Sequence, residues 1–266
     1  MRRFSMIFET HAHYDDDAFC EDREQLLERL PKEGIGRVVN IAASIPSCHT
    51  TMALSDKYPY IYEVFGVHPS DTGTLTEADF EWLRGQVLSR SLHCGGKCLA
   101  VGEIGLDYYW EEPSHEIQKE WFLRQLSLAK EAKLPVVIHS RDAAKDTVDL
   151  LHEAHAEQIG GVIHCYSYSK ELVPIFLDMG FYFGIGGVLT FKNGRKLREA
   201  VEVIPMDRIV LETDSPYLAP EPNRGKRNCS LNIPYVIQTL SQIKGLPPEE
   251  IEQLTWDNAC RMYGMR

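Results

Sequence analysis

Eight short apolar runs recur along the chain, separated by longer amphipathic stretches, and this alternation restricts the fold more than any other feature. The runs are Met6–Phe8, Arg37–Ile41, Ile61–Phe65, Cys98–Val101, Val136–Ile138, Gly161–Ile163, Phe181–Phe183 and Arg208–Leu211. Each has the length and β-branched or apolar character of a parallel strand buried on both faces. The stretches between them carry helical periodicity. In Gln118–Ala132, Trp121, Phe122, Leu126 and Ala129 fall on one face, and Leu134-Pro135 ends the helix before the next strand. Successive runs are spaced by roughly 20 to 40 residues, as βα units require. Eight such units in a row predict an α/β fold, a closed (β/α)8 TIM barrel rather than an open doubly wound sheet. With no internal repeat, low-complexity segment or linker, residues 1–266 read as one domain. Pro248–Tyr263 reads as a final helix on the barrel wall. Ala219–Asn228, with two prolines, one glycine and three cations, reads as a rigid basic loop.

In a barrel all strands run the same way, so residues at their C-terminal ends meet at one mouth, where barrel active sites sit. Five of the ten histidines follow the apolar runs: His11 and His13 after the first, His68 after the third, His139 after the fifth and His164 after the sixth. Glu103 follows the fourth run and Asp214 the eighth. Side chains alternate along an extended chain, so His11-Ala12-His13 places both imidazoles on one side, within reach of a single ion. The two oxygens of Glu103 suit a bridge between cations. Six ligand-type residues at one end of five strands, His11, His13, Glu103, His139, His164 and Asp214, point to a divalent-metal centre. Mixed nitrogen and oxygen donors fit Mg²⁺, Mn²⁺ or Zn²⁺ without choosing among them, with one or two ions.

Other candidates have plainer readings. His152 and His155, beside Glu153 and Glu157, read as a solvated helix face. Cys94 and Cys98 have zinc-like spacing but no partner pair. Cys165 reads as packing beside His164. Gly184-Ile185-Gly186-Gly187 reads as a tight turn, with a phosphate cradle as the alternative. Tyr109 and Trp110 read as core or rim packing, with base stacking as the alternative.

Acidic residues exceed basic ones, 39 to 28, and the net charge of −11 argues against broad electrostatic wrapping of nucleic acid. No apolar run reaches the roughly 18 residues of a membrane span. The basic start, Met1 to Ser5, lacks an apolar signal core after it, because Glu9 and His11 interrupt. Seven scattered cysteines show no disulfide framework. Together these predict a cytoplasmic protein; a monomer is compatible with the sequence.

The motifs His11-Ala12-His13, Gly66-Val67-His68-Pro69, Gly102-Glu103-Ile104-Gly105-Leu106-Asp107-Tyr108, Ile138-His139-Ser140-Arg141-Asp142-Ala143, His164-Cys165-Tyr166-Ser167 and Glu212-Thr213-Asp214-Ser215-Pro216-Tyr217 resemble, in order, those of the TatD-like metal-dependent deoxyribonucleases. Arg224-Gly225-Lys226-Arg227-Asn228 and the tail Asn258 to Gly264 continue the likeness over essentially the whole chain. The resemblance implies an amidohydrolase-type barrel in which His11, His13 and Asp214 hold one ion, His139 and His164 another, and Glu103 bridges them. It implies hydrolysis of DNA phosphodiesters, often from the 3′ end. One departure is visible: Cys229-Ser230 stands where the family commonly has Glu-Pro, which bears on how the basic loop docks.

The expected chemistry is metal-assisted hydrolysis of DNA or an oligonucleotide, single-stranded or at 3′ ends. Asp214 is the expected general base and Glu103 the second catalytic carboxylate, with Glu212 the alternative base. His68, Arg141, Arg224 and Arg227 are expected to grip phosphate oxygens. A metal-dependent ester or amide hydrolase, such as an aminoacyl-tRNA deacylase, keeps the same centre with another substrate. A non-catalytic metal-binding scaffold is the third reading, disfavoured by six intact ligand positions.

Overall fold

The computed structural model describes residues 6–265. The basic start, Met1 to Ser5, on which the signal-peptide reading rests, lies outside the described residues. Eight parallel strands form one sheet in sequence order: β1 (Ile7–Ala12), β2 (Ile35–Ile41), β3 (Ile61–Phe65), β4 (Cys98–Asp107), β5 (Val136–Arg141), β6 (Gly161–Ile163), β7 (Tyr182–Ile185) and β8 (Ile209–Leu211). The segment after β8 returns to β1 and closes the ring. Thr10 Oγ1 donates to Leu211 O (2.8 Å), Asp214 N to His11 O (3.0 Å) and His13 N to Ser215 O (2.8 Å). The fold is therefore a (β/α)8 TIM barrel.

Around it run α1 (Arg23–Arg29), α2 (Ile45–Lys57), α3 (Glu77–Arg90), α4 (His115–Ala132), α5 (Ala144–Glu153), α6 (Val173–Asp178), α7 (Arg195–Val203), α8 (Ile233–Lys244) and α9 (Pro248–Met262). The core has two layers because strand residues alternate. Val136 and Ile138 face the helices, whereas Val137 joins Val39, Val64, Val162 and Val210 inside the barrel. Met262, the last residue of α9, and Tyr263 just beyond it belong to that inner cluster, and Tyr263 OH donates to Thr10 O (3.1 Å). Among the described residues no helix is long and apolar enough to cross a membrane.

Several strands run further than their apolar runs. β4 continues from Val101 through Asp107, β5 from Ile138 through Arg141, and β1 through Ala12. His11, Glu103 and His139 thus lie within strands rather than after them. Two register shifts fall on the site. Three residues of β1 advance against two of β2 between Glu9 and Ala12, and three of β4 against two of β5 between Val101 and Ile104. Such bulges re-aim side chains locally, and here they involve His11 and Glu103.

Candidate metal centre

His11, from β1, and His13, just beyond it, bring their Nε2 atoms to 3.2 Å of each other. His13 Nδ1 lies 2.8 Å from Ile41 O. A carbonyl only accepts, so Nδ1 carries a proton, and Nε2 is the nitrogen turned inward that can donate to an ion once it has lost its own proton. Asn40, at the end of β2, accepts from Tyr14 N (2.7 Å) and donates to Asp15 and Thr51 (2.8 Å each), which fixes the loop after His13.

Glu103 lies at the centre, buried, with its two oxygens facing different partners. Oε2 is 3.4 Å from His11 Nε2 and 3.7 Å from His13 Nε2. Oε1 is 2.8 Å from His139 Nδ1, 3.6 Å from His164 Nε2 and 3.9 Å from His68 Nε2. Asp214 Oδ1 completes the first side, 3.5 Å from His13, 3.8 Å from His11 and 3.7 Å from His164. His164 thus faces both sides, and its ring stacks on that of His11 at 3.5 Å. Asp214 has φ 57°, a left-handed conformation that Asp tolerates.

This donor set fits divalent cations. Ligands about 2.1 Å from one tetrahedral ion lie about 3.4 Å apart, and the donor gaps around Oε2 are 3.2 to 3.8 Å. No arginine or lysine pairs with Glu103 among the described residues; its neighbours are imidazoles. The charge balance shows the same demand for cations. Burial alone would raise Glu103, yet His164 and His11 hold it well below the ordinary carboxylate range. Burial opposes protonation of His13, but Asp214 and Glu103 outweigh it and raise the imidazole to about 9. His164 is raised to about 10 against burial by Glu212 and Glu103. Protons occupy positions that suit metal.

A second ring of groups aims these side chains. Asp107 Oδ2 is 3.0 Å from His139 Nε2, leaving Nδ1 directed at Glu103. Glu212 Oε1 lies 3.1 Å from His164 Nδ1 and accepts from Cys165 N (2.6 Å). Glu212 is buried behind His164, away from the cleft, so the alternative that it is the base lacks access to water. Glu9 accepts from His11 N (3.1 Å), Thr213 N (3.0 Å), Thr213 Oγ1 (2.7 Å) and Ser230 Oγ (3.0 Å), tying β1 to the segment after β8. Helix α4 contributes two buried glutamines seven residues apart. Gln118 clasps the backbone of Asp107, and Gln125 that of Val67, just before His68. Asp107, Glu9, Asn40, Gln118 and Gln125 were absent from the site read in sequence. Asp107 carried a usable signal: it lies four residues after Glu103 on an alternating strand, hence on the same face.

The cleft above Glu103 measures about 290 Å³ and is lined by His13, His68, His139, His164 and Asp214, with Asp15, Asp16 and Asp71 at its edge. His68 Nδ1 is held by Ser70, 3.2 Å from its N and 2.7 Å from its Oγ, which turns Nε2 toward Glu103; burial pushes this imidazole down to about 3, keeping it neutral. The three arginines expected at phosphate are not in the cleft lining. Arg141 stacks on Tyr109 at 3.8 Å, Arg224 on Phe191 at 4.3 Å, and Arg227 makes two 2.6 Å bonds to Asp22 and one to Ala18 O (2.8 Å).

The basic loop is anchored by buried Asn228, which donates to Thr213 O (2.9 Å) and accepts from Asn232 Nδ2 (2.8 Å). At the departure site, Ser230 bonds Tyr14 OH (2.7 Å) as well as Glu9, so this serine docks the loop onto β1. Elsewhere, His152 is exposed on α5, but His155 lies beyond the helix at φ 49° beside Glu157. Cys94 is exposed and Cys98 buried, and neither falls in a metal-competent group among the described residues. Cys165 is half-buried beside His164, and burial raises its thiol well above the ordinary range. The turn reading of the glycine cluster holds for Gly186 and Gly187, which follow β7 and open the helical turn Gly187–Thr190; Gly184 instead lies inside β7, where a Cβ would sit 2.1 Å from Glu212 Oε2.

A model of the TatD related DNase family matches residues 8–264. The chain belongs to the TatD family. It is 40% identical over 258 residues to the uncharacterized metal-dependent hydrolase YabD of Bacillus subtilis (strain 168), covering 97% of this chain and 99% of that one. To the uncharacterized metal-dependent hydrolase YcfH of Escherichia coli (strain K12) it is 32% identical over 261 residues, covering 97% and 95%. The crystal structure of YjjV, a TatD homologue from Escherichia coli K12, superposes with a TM-score of 0.91 at 28% identity, covering 99% of this chain and all of that one. Within the TatD family this chain is a metal-dependent hydrolase, and its His, Glu and Asp clusters are able to bind metal ions.

Proposed function

We propose that the protein is a deoxyribonuclease that hydrolyses phosphodiester bonds of DNA or oligonucleotides in the 3′→5′ exonuclease manner. In this reading the whole chain acts as one hydrolase barrel. The division of Glu103, with Oε2 toward His11 and His13 and Oε1 toward His139 and His164, carries the reading, because it suits a carboxylate bridging two divalent ions. The family's description as TatD related DNase supports the substrate.

His11, His13 and Asp214 would hold one Mg²⁺, Mn²⁺ or Zn²⁺, and His139 and His164 a second. Bound there, such cations supply Lewis acidity toward a phosphoryl oxygen and make water more acidic. Asp214 is the general base. It reaches the cleft and stays ionised, since burial, which would raise it, is outweighed by His13, His164 and His11. Neutral His68 donates from Nε2 to a phosphoryl oxygen. Arg141 and Arg224, neither paired with a carboxylate among the described residues, hold flanking phosphates from the rim; Arg227 joins them only by sharing its guanidinium with Asp22.

The cleft lining itself contains no arginine or lysine and three aspartates at its edge. That favours, as the second reading, an ester or amide substrate such as an aminoacyl-tRNA. A panel of single-stranded DNA, RNA and acyl esters, each with Mg²⁺, Mn²⁺ and Zn²⁺, separates the two. DNA turnover with acyl esters untouched supports the nuclease; ester turnover alone overturns it.

A further inference from the structure

After β4 the chain exposes two adjacent aromatic side chains, Tyr109 and Trp110, each 55% accessible. Their rings meet edge to face at 4.8 Å and 89°. Neither joins a hydrophobic cluster. The preceding residue behaves oppositely: Tyr108 packs against the core, stacks on His115 at 3.6 Å and donates to Asp146 (2.8 Å). Packing against the core therefore accounts for Tyr108 but not for the exposed rings of Tyr109 and Trp110. Exposed aromatic surface is costly to leave in water.

The pair is tied to the metal centre through Asp107, which accepts from Tyr109 N at Oδ1 (3.0 Å) and meets His139 at Oδ2 (3.0 Å). On the neighbouring strand Arg141, two residues beyond His139, lays its guanidinium over Tyr109 at 3.8 Å. Its side chain makes no hydrogen bond or ion pair among the described residues, in contrast to Arg90, Arg124 and Arg227, which all grip carboxylates. A stacked guanidinium with its donors free beside an open aromatic face offers a flat apolar surface and an anion site together. A nucleotide presents the complementary pair, a base and its phosphate.

We propose that Tyr109 and Trp110, with Arg141, form a nucleotide subsite at the rim of the mouth, where one base stacks on the aromatic pair and its phosphate meets the guanidinium. This rests on the nucleic-acid reading of the metal centre. Stacking uses the π face common to all bases, so the subsite selects single-stranded ends over paired ones without reading sequence.

The test is binding of a phosphorothioate-linked thymidine tetramer, which resists hydrolysis, and of an abasic chain of equal length. The tetramer should quench the fluorescence of Trp110, and the abasic chain should not. Trp110→Phe should lose the quench while keeping affinity within about threefold. Tyr109→Ala with Trp110→Ala should weaken tetramer binding about tenfold or more and bring it level with the abasic chain. Equal affinity of wild type and the double variant, or of tetramer and abasic chain, overturns the subsite. Quenching and selective binding of the tetramer by a protein that hydrolyses no DNA would leave the subsite standing and remove the nuclease reading. DNA hydrolysis without base-dependent binding would do the reverse.

Discussion

Glu63 and Glu103 are both buried barrel glutamates, and their surroundings differ in one decisive respect. Glu63 on β3 pairs in register with Cys98, the first residue of β4. Arg90, at the end of α3, reaches it with two hydrogen bonds (2.6 and 3.0 Å), and Ser55 of α2 donates a third. The chain supplies its own cation there, and the bond to Glu63 is the main cause that raises the Arg90 guanidinium above its ordinary range. Glu103 lies further along β4, at the mouth, and has only imidazoles around it. A buried carboxylate without a fixed cation is costly. A carboxylate provided with an internal arginine serves the fold; one surrounded by converging imidazoles has neighbours that can give up their protons to make room for a cation from outside.

The largest effect expected is on catalysis. Glu103→Gln keeps the shape of the side chain and removes its charge, so hydrolysis should fall at least about 10³-fold, the scale of losing metal assistance, with the circular dichroism spectrum unchanged. Unaltered turnover would erase the distinction between the two glutamates. Arg90→Met is the reciprocal change. It leaves Glu63 buried and unpaired, and should cost about 3–5 kcal/mol in stability, read from urea unfolding. Activity per folded molecule should stay as in wild type. A variant as stable as wild type but slow would mean that Glu63 is no structural pair.

Asp107→Asn probes the orientation of His139. The amide fills the same space but no longer accepts at both oxygens, so metal affinity or turnover should drop about 10- to 100-fold; an unchanged metal affinity and rate would assign Asp107 to the fold alone. The smallest effect concerns protons. His13 and His164 are raised to about 9 and about 10, so both are protonated at pH 7 in the metal-free protein and must release those protons to become ligands. Calorimetric titration with Mn²⁺ in two buffers of different ionisation enthalpy should show roughly two protons released at pH 7. Apparent affinity should rise with pH and level off above about 10. Absence of proton release would mean that these histidines stay outside the coordination sphere.

The barrel was legible because a parallel strand covered on both faces needs an uninterrupted apolar run, and Ile61–Phe65 and Gly161–Ile163 match their strands residue for residue. Strand ends at the mouth were not legible in the same way. There the polar residue facing the cleft ends the apolar run while the backbone ladder continues, as in Cys98–Asp107. The other five side chains named as ligands gather with Glu103 because each lies at or near a strand end. What surrounds them depends on tertiary contacts that no local pattern encodes. Gln118 and Gln125 lie among Trp121, Phe122 and Ala129 on the buried face of α4, where polar residues look like exceptions until their backbone partners are known. For Arg227, expected at phosphate, pairing with a surface carboxylate is the plainer alternative, and its partner Asp22 cannot be picked out locally because it lies far away in sequence.

The claim that Glu103 gathers external cations is tested most directly by electron paramagnetic resonance of Mn²⁺ mixed with chelator-treated protein, wild type and Glu103→Gln side by side. Wild type should remove the free Mn²⁺ signal up to one or two ions per chain and regain hydrolysis over the same range, whereas Glu103→Gln should leave most of the signal and stay inactive. Equal Mn²⁺ uptake by the two proteins, or full hydrolysis by chelator-treated wild type before any metal is added, would contradict the account.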